Sequence, residues 1–207
     1  METGHLTDEL IAAYASGAAR EGVALAVATH LTYCAESRRK VEARELVAGA
    51  ILAETASVEP PSFDDLLDRL DDEPPAEAEV TASGPLPAPV VEALGMRFED
   101  IPWRFRLPGV HEYEISMADG DNISLLKVRP GAAIPSHTHE AEELTVVLQG
   151  ELEDGGATYK AGDIAIADAS VDHKPRAGGD TECICLAVLS GGVKFTGPFG
   201  RALNLFS

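Results

Sequence analysis

Over the first seventy residues, apolar side chains recur at helical spacing. Beyond about residue 90 they recur in short runs cut by Gly, Pro, Asn and Asp. Leu10, Ile11 and Tyr14 share one face of a first helix, with Thr7 or Asp8 available as its N-cap. Gly17 and Gly22 interrupt the pattern, and Val23, Val27 and Leu31 then make a second stripe that ends near Tyr33. A third helix is predicted from about Ser37 to Thr55, with Ala43, Leu46, Val47, Ala50 and Ile51 on one side. Its basic cluster, Arg38-Arg39-Lys40, lies where the helix dipole disfavours cations. After Pro60-Pro61, Ser62 can cap a short fourth helix from Phe63 to Leu70. Phe63, Leu66, Leu67 and Leu70 fall at i, i+3, i+4 and i+7, with Asp64, Asp65, Asp68 and Asp71 on the other side.

Residues 73–89 show no periodicity and carry five prolines among acidic and small residues, the composition of an extended, solvated linker. Strands are expected at Trp103–Leu107, Glu112–Met117, Asn122–Val128, Leu144–Glu153, Ala157–Lys160, Asp163–Ile166 and Cys183–Val188. Short strands so spaced form a sandwich or barrel. The expected fold class is therefore α + β in separate domains. A small helical bundle covers 1–72, the linker 73–89, and a β-domain 90–207, each domain with its own core.

Charge narrows the partners. With 16 Lys and Arg against 35 Asp and Glu, the formal charge of −19 argues against direct contact with nucleic acid, whose phosphates need a basic footprint. It suits a basic protein partner, although solubility alone also accounts for it. Three cysteines, an odd number without framework spacing, point to a reducing compartment. The acidic N-terminus does not read as a signal peptide, and no apolar run approaches the ~20 residues of a membrane span. A cytoplasmic protein is expected.

Candidate chemistry concentrates between Gly131 and Gly150. His137 and His139 stand two apart, so on a strand both imidazoles face one side. Glu143 follows after an acidic turn and opens the run Leu144–Leu148, and His173 ends a later segment that starts at Gly162. Three imidazoles and one carboxylate converging in a barrel would bind a divalent transition metal. Glu143 alternatively belongs to a solvated turn with Glu140 and Glu142. Gly131, His137, His139, Glu143 and Gly150 resemble the first motif of the cupin family. Gly162 and His173 resemble its second, with Asp168-Ala-Ser170 in place of the usual Pro-x-Gly. The resemblance implies a jelly-roll barrel with His137, His139, Glu143 and His173 as ligands of zinc or another divalent transition metal, and is compatible with homo-oligomers through the barrel.

In the helical region His30 and Cys34 lie at i, i+4, on one side of a helix if it continues that far, and His5 can fold over to the same point. Nitrogen and sulfur donors suit zinc, which prefers four, while core packing of a buried His and Cys is the plainer reading. An early His followed by His-x-x-x-Cys-x-x-Cys resembles the zinc-binding anti-sigma domain. With the cupin behind it, the whole chain resembles the ChrR-type anti-sigma factors. The family's zinc ligands fall on His5, His30 and Cys34, and its fourth, a cysteine, falls on Ser37, a poor zinc ligand. This leaves an empty site, zinc completed by water, Glu36 or a nearby carboxylate, or an introduced Cys→Ser change. Weak or absent zinc is expected here.

The resemblance implies that the helical domain binds and inhibits an extracytoplasmic-function (ECF) sigma factor. Oxidative stress, singlet oxygen in particular, would release it through the metal-binding cupin. Phe63, Leu66, Leu67 and Leu70 are the expected docking stripe, with Leu10, Ile11 and Tyr14 as a second contact. Cys183 and Cys185, at i, i+2, either sense oxidation near the metal or are small residues of a buried strand face, and neighbours on one strand are awkward to bridge. No catalytic residue is expected. The rival class is a cupin dioxygenase or isomerase acting on a small molecule, which shares the same ligand set. A third is a binding or storage cupin with a helical oligomerisation domain.

Overall fold

The computed structural model describes residues 4–57, 62–64, 67, 82, 84–117 and 121–197. Three helices come first: α1 (Asp8–Ala15), α2 (Glu21–Tyr33) and α3 (Ala35–Glu54). Thr7 caps α1 through its side chain, accepting from the Leu10 amide at 3.3 Å. Arg38, anomalous in sequence, reaches back from α3 to the Leu31 and Thr32 carbonyls at 2.5 and 3.3 Å. A cation thereby closes the C-terminus of α2, where the dipole favours it.

A further helix, α4 (Ala88–Leu94), starts inside the expected linker. Pro87 is its N-cap and Gly95, at φ +62°, its left-handed C-cap. Leu86, just before it, is buried. Linker residues 73–81 and 83 lie outside the described residues, as do Leu66 and Leu70 of the docking stripe.

Eleven strands are described: β1 (Arg104–Leu107), β2 (Val110–Ile115), β3 (Asn122–Val128), β4 (His137–His139), β5 (Glu143–Gln149), β6 (Glu151–Asp154), β7 (Ala157–Lys160), β8 (Ile164–Ala167), β9 (Arg176–Gly178), β10 (Cys183–Leu189) and β11 (Val193–Phe195). All pair antiparallel, in sheets of order β1-β2-β3-β10-β5-β8, β7-β6-β9 and β11-β4. The predicted strand Leu144–Glu153 breaks at Gly150, φ +75°, where a Cβ would lie 2.6 Å from the Glu182 carbonyl oxygen.

The six-stranded sheet is covered on both faces, which is why β5 and β10 read as continuous apolar runs. Val147, Cys183 and Cys185 meet Leu152, Tyr159 and Ala177 of the three-stranded sheet. The opposite face presents Leu144, Val146, Leu148, Ile184, Leu186 and Val188 to the helices. These form one cluster with Leu10, Ile11, Leu25, Val27, Val41, Val90 and Val91. The expectation of a separate core for each half is therefore corrected: one apolar core joins the helices to the sheet. Gly22 permits the approach of α2, because a Cβ there would stand 2.9 Å from Ile123 Cδ1 and Val188 Cγ1. Beside it Arg20 pairs at 2.8 Å with the buried Asp121.

The shared core takes in the residues of the expected second docking contact. Leu10 and Ile11 are buried, and Tyr14 packs half-buried against the same cluster. Their stripe faces inward because it is the face that meets the sheet-bound helix layer. The stripe of α3 is instead open: Leu46 is 76% exposed, Val47 62% and Ile51 65%, with Leu52 also exposed.

Candidate functional site

The β-half brings His137, His139, Glu143 and His173 together, all buried, their donor atoms within 4.8 Å of one another. Strand alternation places both histidines of β4 on its inner side. His173 is held opposite by reciprocal backbone bonds with His137, each 3.0 Å. Glu143 opens β5, where the alternation that sends Leu144 and Val146 to the helices turns Glu143 and Thr145 inward. Thr145 donates to Glu143 Oε1 at 3.2 Å. His173 Nε2 lies 3.1 Å from His137 Nε2 and 3.2 Å from His139 Nε2, and Glu143 Oε2 lies 2.7 Å from His139 Nε2.

The outer hydrogen bonds decide what this cluster can hold. His137 Nδ1 is 2.8 Å from the Pro135 carbonyl, which only accepts, so Nδ1 carries the hydrogen and Nε2 keeps its lone pair. His173 Nδ1 donates likewise to Asp154 Oδ2 at 2.6 Å. The Nε2 atoms of His137 and of neutral His173 therefore turn lone pairs toward the buried Glu143 Oε2, where His139 Nε2 also stands, an arrangement that a cation would satisfy. The donor set fits a divalent transition metal. Burial lowers His137. Burial also pulls His173 down, but the Asp154 and Glu143 carboxylates overcome it and lift it to about 9. Burial raises Glu143, and the His139 and His173 contacts outweigh it, leaving the carboxyl well below its ordinary range.

Asp154, which orients His173, escaped sequence reasoning as one more acid in an acidic chain. The Asp154-Gly155-Gly156 run, a hairpin-turn pattern that puts Asp154 at a strand end, was the available signal. Cys183 and Cys185 point inward with sulfurs 3.4 Å apart, and both are free thiols. Their pair contact and burial push Cys185 far up. Cavities of about 30 and 100 Å³ adjoin the cluster, the first lined in part by Cys185 and His173, the second by His137, Phe195 and Arg106. A more open cavity of about 520 Å³, lined in part by Asp154, Asp172 and His173, also reaches the cluster and falls within the about 300–1,000 Å³ typical of small-molecule sites.

The helical half gathers His5, His30 and Cys34, again within 4.8 Å. Cys34 sits between α2 and α3 as the N-cap of α3, its sulfur accepting from the Ser37 amide at 3.4 Å and lying 3.8 Å from His5 Nδ1. Burial raises this thiol, and the Ser37 and His5 hydrogen bonds more than offset it, so its pKa is lowered. Burial also lowers His30. Ser37 Oγ, 2.9 Å from His30 Nε2, stands where a fourth donor belongs. These three donors could hold a metal, and a neutral hydroxyl, a poor zinc ligand, stands beside them in place of a fourth.

Of the expected docking stripe, Phe63 and Leu67 are described, and both are exposed. Among the described residues no helix is long and apolar enough to cross a membrane.

Comparison with known proteins follows the same two-part outline. The model of the ChrR cupin-like domain matches residues 91–191. The anti-sigma-E factor ChrR of Cereibacter sphaeroides is 38% identical over 206 residues, 98% of this chain and 96% of that protein. ChrR in the crystal structure of Rhodobacter sphaeroides SigE in complex with this anti-sigma factor superposes with a TM-score of 0.76 at 36% identity, covering 90% of this chain and 98% of that one. The chain belongs to the ChrR family.

Proposed function

We propose that this protein is an anti-sigma factor that binds an ECF sigma factor through its helical half and keeps it from RNA polymerase. The observation that carries this is the open apolar face of α3. Leu46, Val47 and Ile51 lie on one side of a helix whose only buried residues are Ser37 and Val41, near its start. A contiguous exposed apolar stripe of this kind marks a protein-binding surface. A full-length relative named as an anti-sigma factor, and a similar chain solved in complex with a sigma factor, supply the kind of partner. Phe63 and Leu67 are exposed as well, and Leu66 and Leu70 belong to their stripe in sequence. The charge of −19 favours encounter with basic sigma surfaces. Sigma binding implies a cytoplasmic location and a regulatory, non-enzymatic role.

The barrel cluster is the proposed sensor, held by His137, His139, Glu143 and His173, with zinc as the ion best matched by nitrogen and oxygen donors without redox chemistry. When bound, zinc would link β4, β5 and the segment ending at His173. Singlet oxygen attacks imidazole, and a lost donor weakens the barrel. Because barrel and helices share a core, such loosening reaches α2 and the helices around it. Co-expression with an ECF sigma factor of its own organism tests the function. A stable complex that suppresses run-off transcription is expected, and free sigma with full transcription overturns the reading.

A further inference from the structure

One of the three donors in the helical half, and the residue before another, rest on one turn of the barrel. His30 is 1% exposed, and its Nδ1 lies 2.7 Å from the Gly162 carbonyl oxygen. The carbonyl accepts, so Nδ1 carries the hydrogen and Nε2 turns its lone pair toward Ser37, Cys34 and His5. Metal-bound histidines characteristically donate their second N–H to such an acceptor, which fixes tautomer and ring orientation. Gly4, immediately before His5, packs on the same turn: a Cβ there would lie 3.0 Å from Asp163 Oδ1.

We propose that Gly162 is the outer hydrogen-bond partner of the His5–His30–Cys34 group, so that the barrel orients a ligand of the helical half's metal site. The proposal rests on reading that group as a metal site. The turn is built to hold its carbonyl still. Asp163 Oδ2 accepts from the Lys160 amide at 2.8 Å, the Gly162 amide donates to the Val147 carbonyl at 2.8 Å, and the Val147 amide donates to the Asp163 carbonyl at 3.0 Å. Glycine is required at 162: φ is +96°, and a Cβ would stand 2.6 Å from Tyr33 Cβ on α2. The turn feeds directly into β8, which pairs with β5 from Val146 back to Glu143. The carbonyl that holds His30 thus lies in the turn that leads into β8, and the carboxylate of the barrel cluster lies on its hydrogen-bonded neighbour β5, opposite Ala167 at the far end of β8. That contiguity gives the two sites a physical connection that does not pass through the linker.

Cobalt(II) titration of the metal-free full chain tests this. Cys34 is the sole sulfur donor in either group, so sulfur-to-cobalt charge-transfer absorption reads the helical site alone. Gly162→Ala should push Tyr33 and α2 off the turn and weaken cobalt binding in that band about 10–100-fold. Tyr33→Ala removes the ring packed on Gly162 while leaving the turn's own backbone bonds, and should weaken it in the same direction by less. Unchanged affinity in both variants overturns the proposal alone. Absence of the charge-transfer band in the parent chain overturns the metal reading beneath it, and the proposal with it.

Discussion

Leu46→Ala on α3 separates binding from folding. Leu46 is 76% exposed, so truncation removes little that the folded chain uses. Alanine is at least as good a helix former as leucine, and stability should change by no more than about 0.5 kcal/mol. In a sigma complex that covers the stripe the same side chain is buried. Full burial of a leucine is worth about 1.5–3 kcal/mol, and three-quarters of that remains to be gained, so the variant should lose about 1–2 kcal/mol of binding. That is about a 5- to 30-fold rise in Kd. Ile51→Ala, at 65% exposure, should behave alike. Fluorescence anisotropy with labelled sigma factor reads Kd, and urea denaturation reads stability. Leu25→Ala, in the shared core, is the opposite control and should cost about 2–5 kcal/mol of stability. Wild-type affinity in both α3 variants would refute the docking surface.

Other consequences concern the barrel and its junction with the helices. Asp154→Asn should lower metal affinity at the barrel cluster about 10–100-fold in competition with a chelating dye, because His173 loses its charged orienting partner; equal affinity contradicts the assigned role. Gly22→Val should destabilise the full chain by about 1–3 kcal/mol in urea, since Ile123 and Val188 leave no room for the side chain; an unchanged midpoint contradicts the close approach. Removing metal with a chelator should lower the melting temperature of helices and strands together in one calorimetric transition, as a common core requires; two separate transitions contradict it.

The sequence made some of this legible and hid the rest for physical reasons. Local signals held where local physics decides: Thr7 as cap, Leu10 and Ile11 on one face, Asn122–Val128 and Ala157–Lys160 as strands. The barrel cluster was readable because two-residue spacing on a strand fixes which way His137 and His139 point. Which apolar stripe is covered was not readable, because the core stripe of α1 and the open stripe of α3 have the same periodicity. α4 was missed because its prolines signal a linker, although Pro87 and Pro89 sit at the cap and first turn, where proline is tolerated. Arg38 gained its explanation only once α2 ended beside it. Gly162 read as a motif glycine, and nothing local announced that its carbonyl faces a histidine 132 residues away.

Hydrogen exchange of the full chain, free and bound to its sigma factor, tests the central claim most directly. The account predicts slowed exchange along α3 around Leu46–Leu52, with the inner strands β5 and β10 unchanged. A complex that leaves α3 exchanging as in the free chain and protects the barrel instead would contradict it.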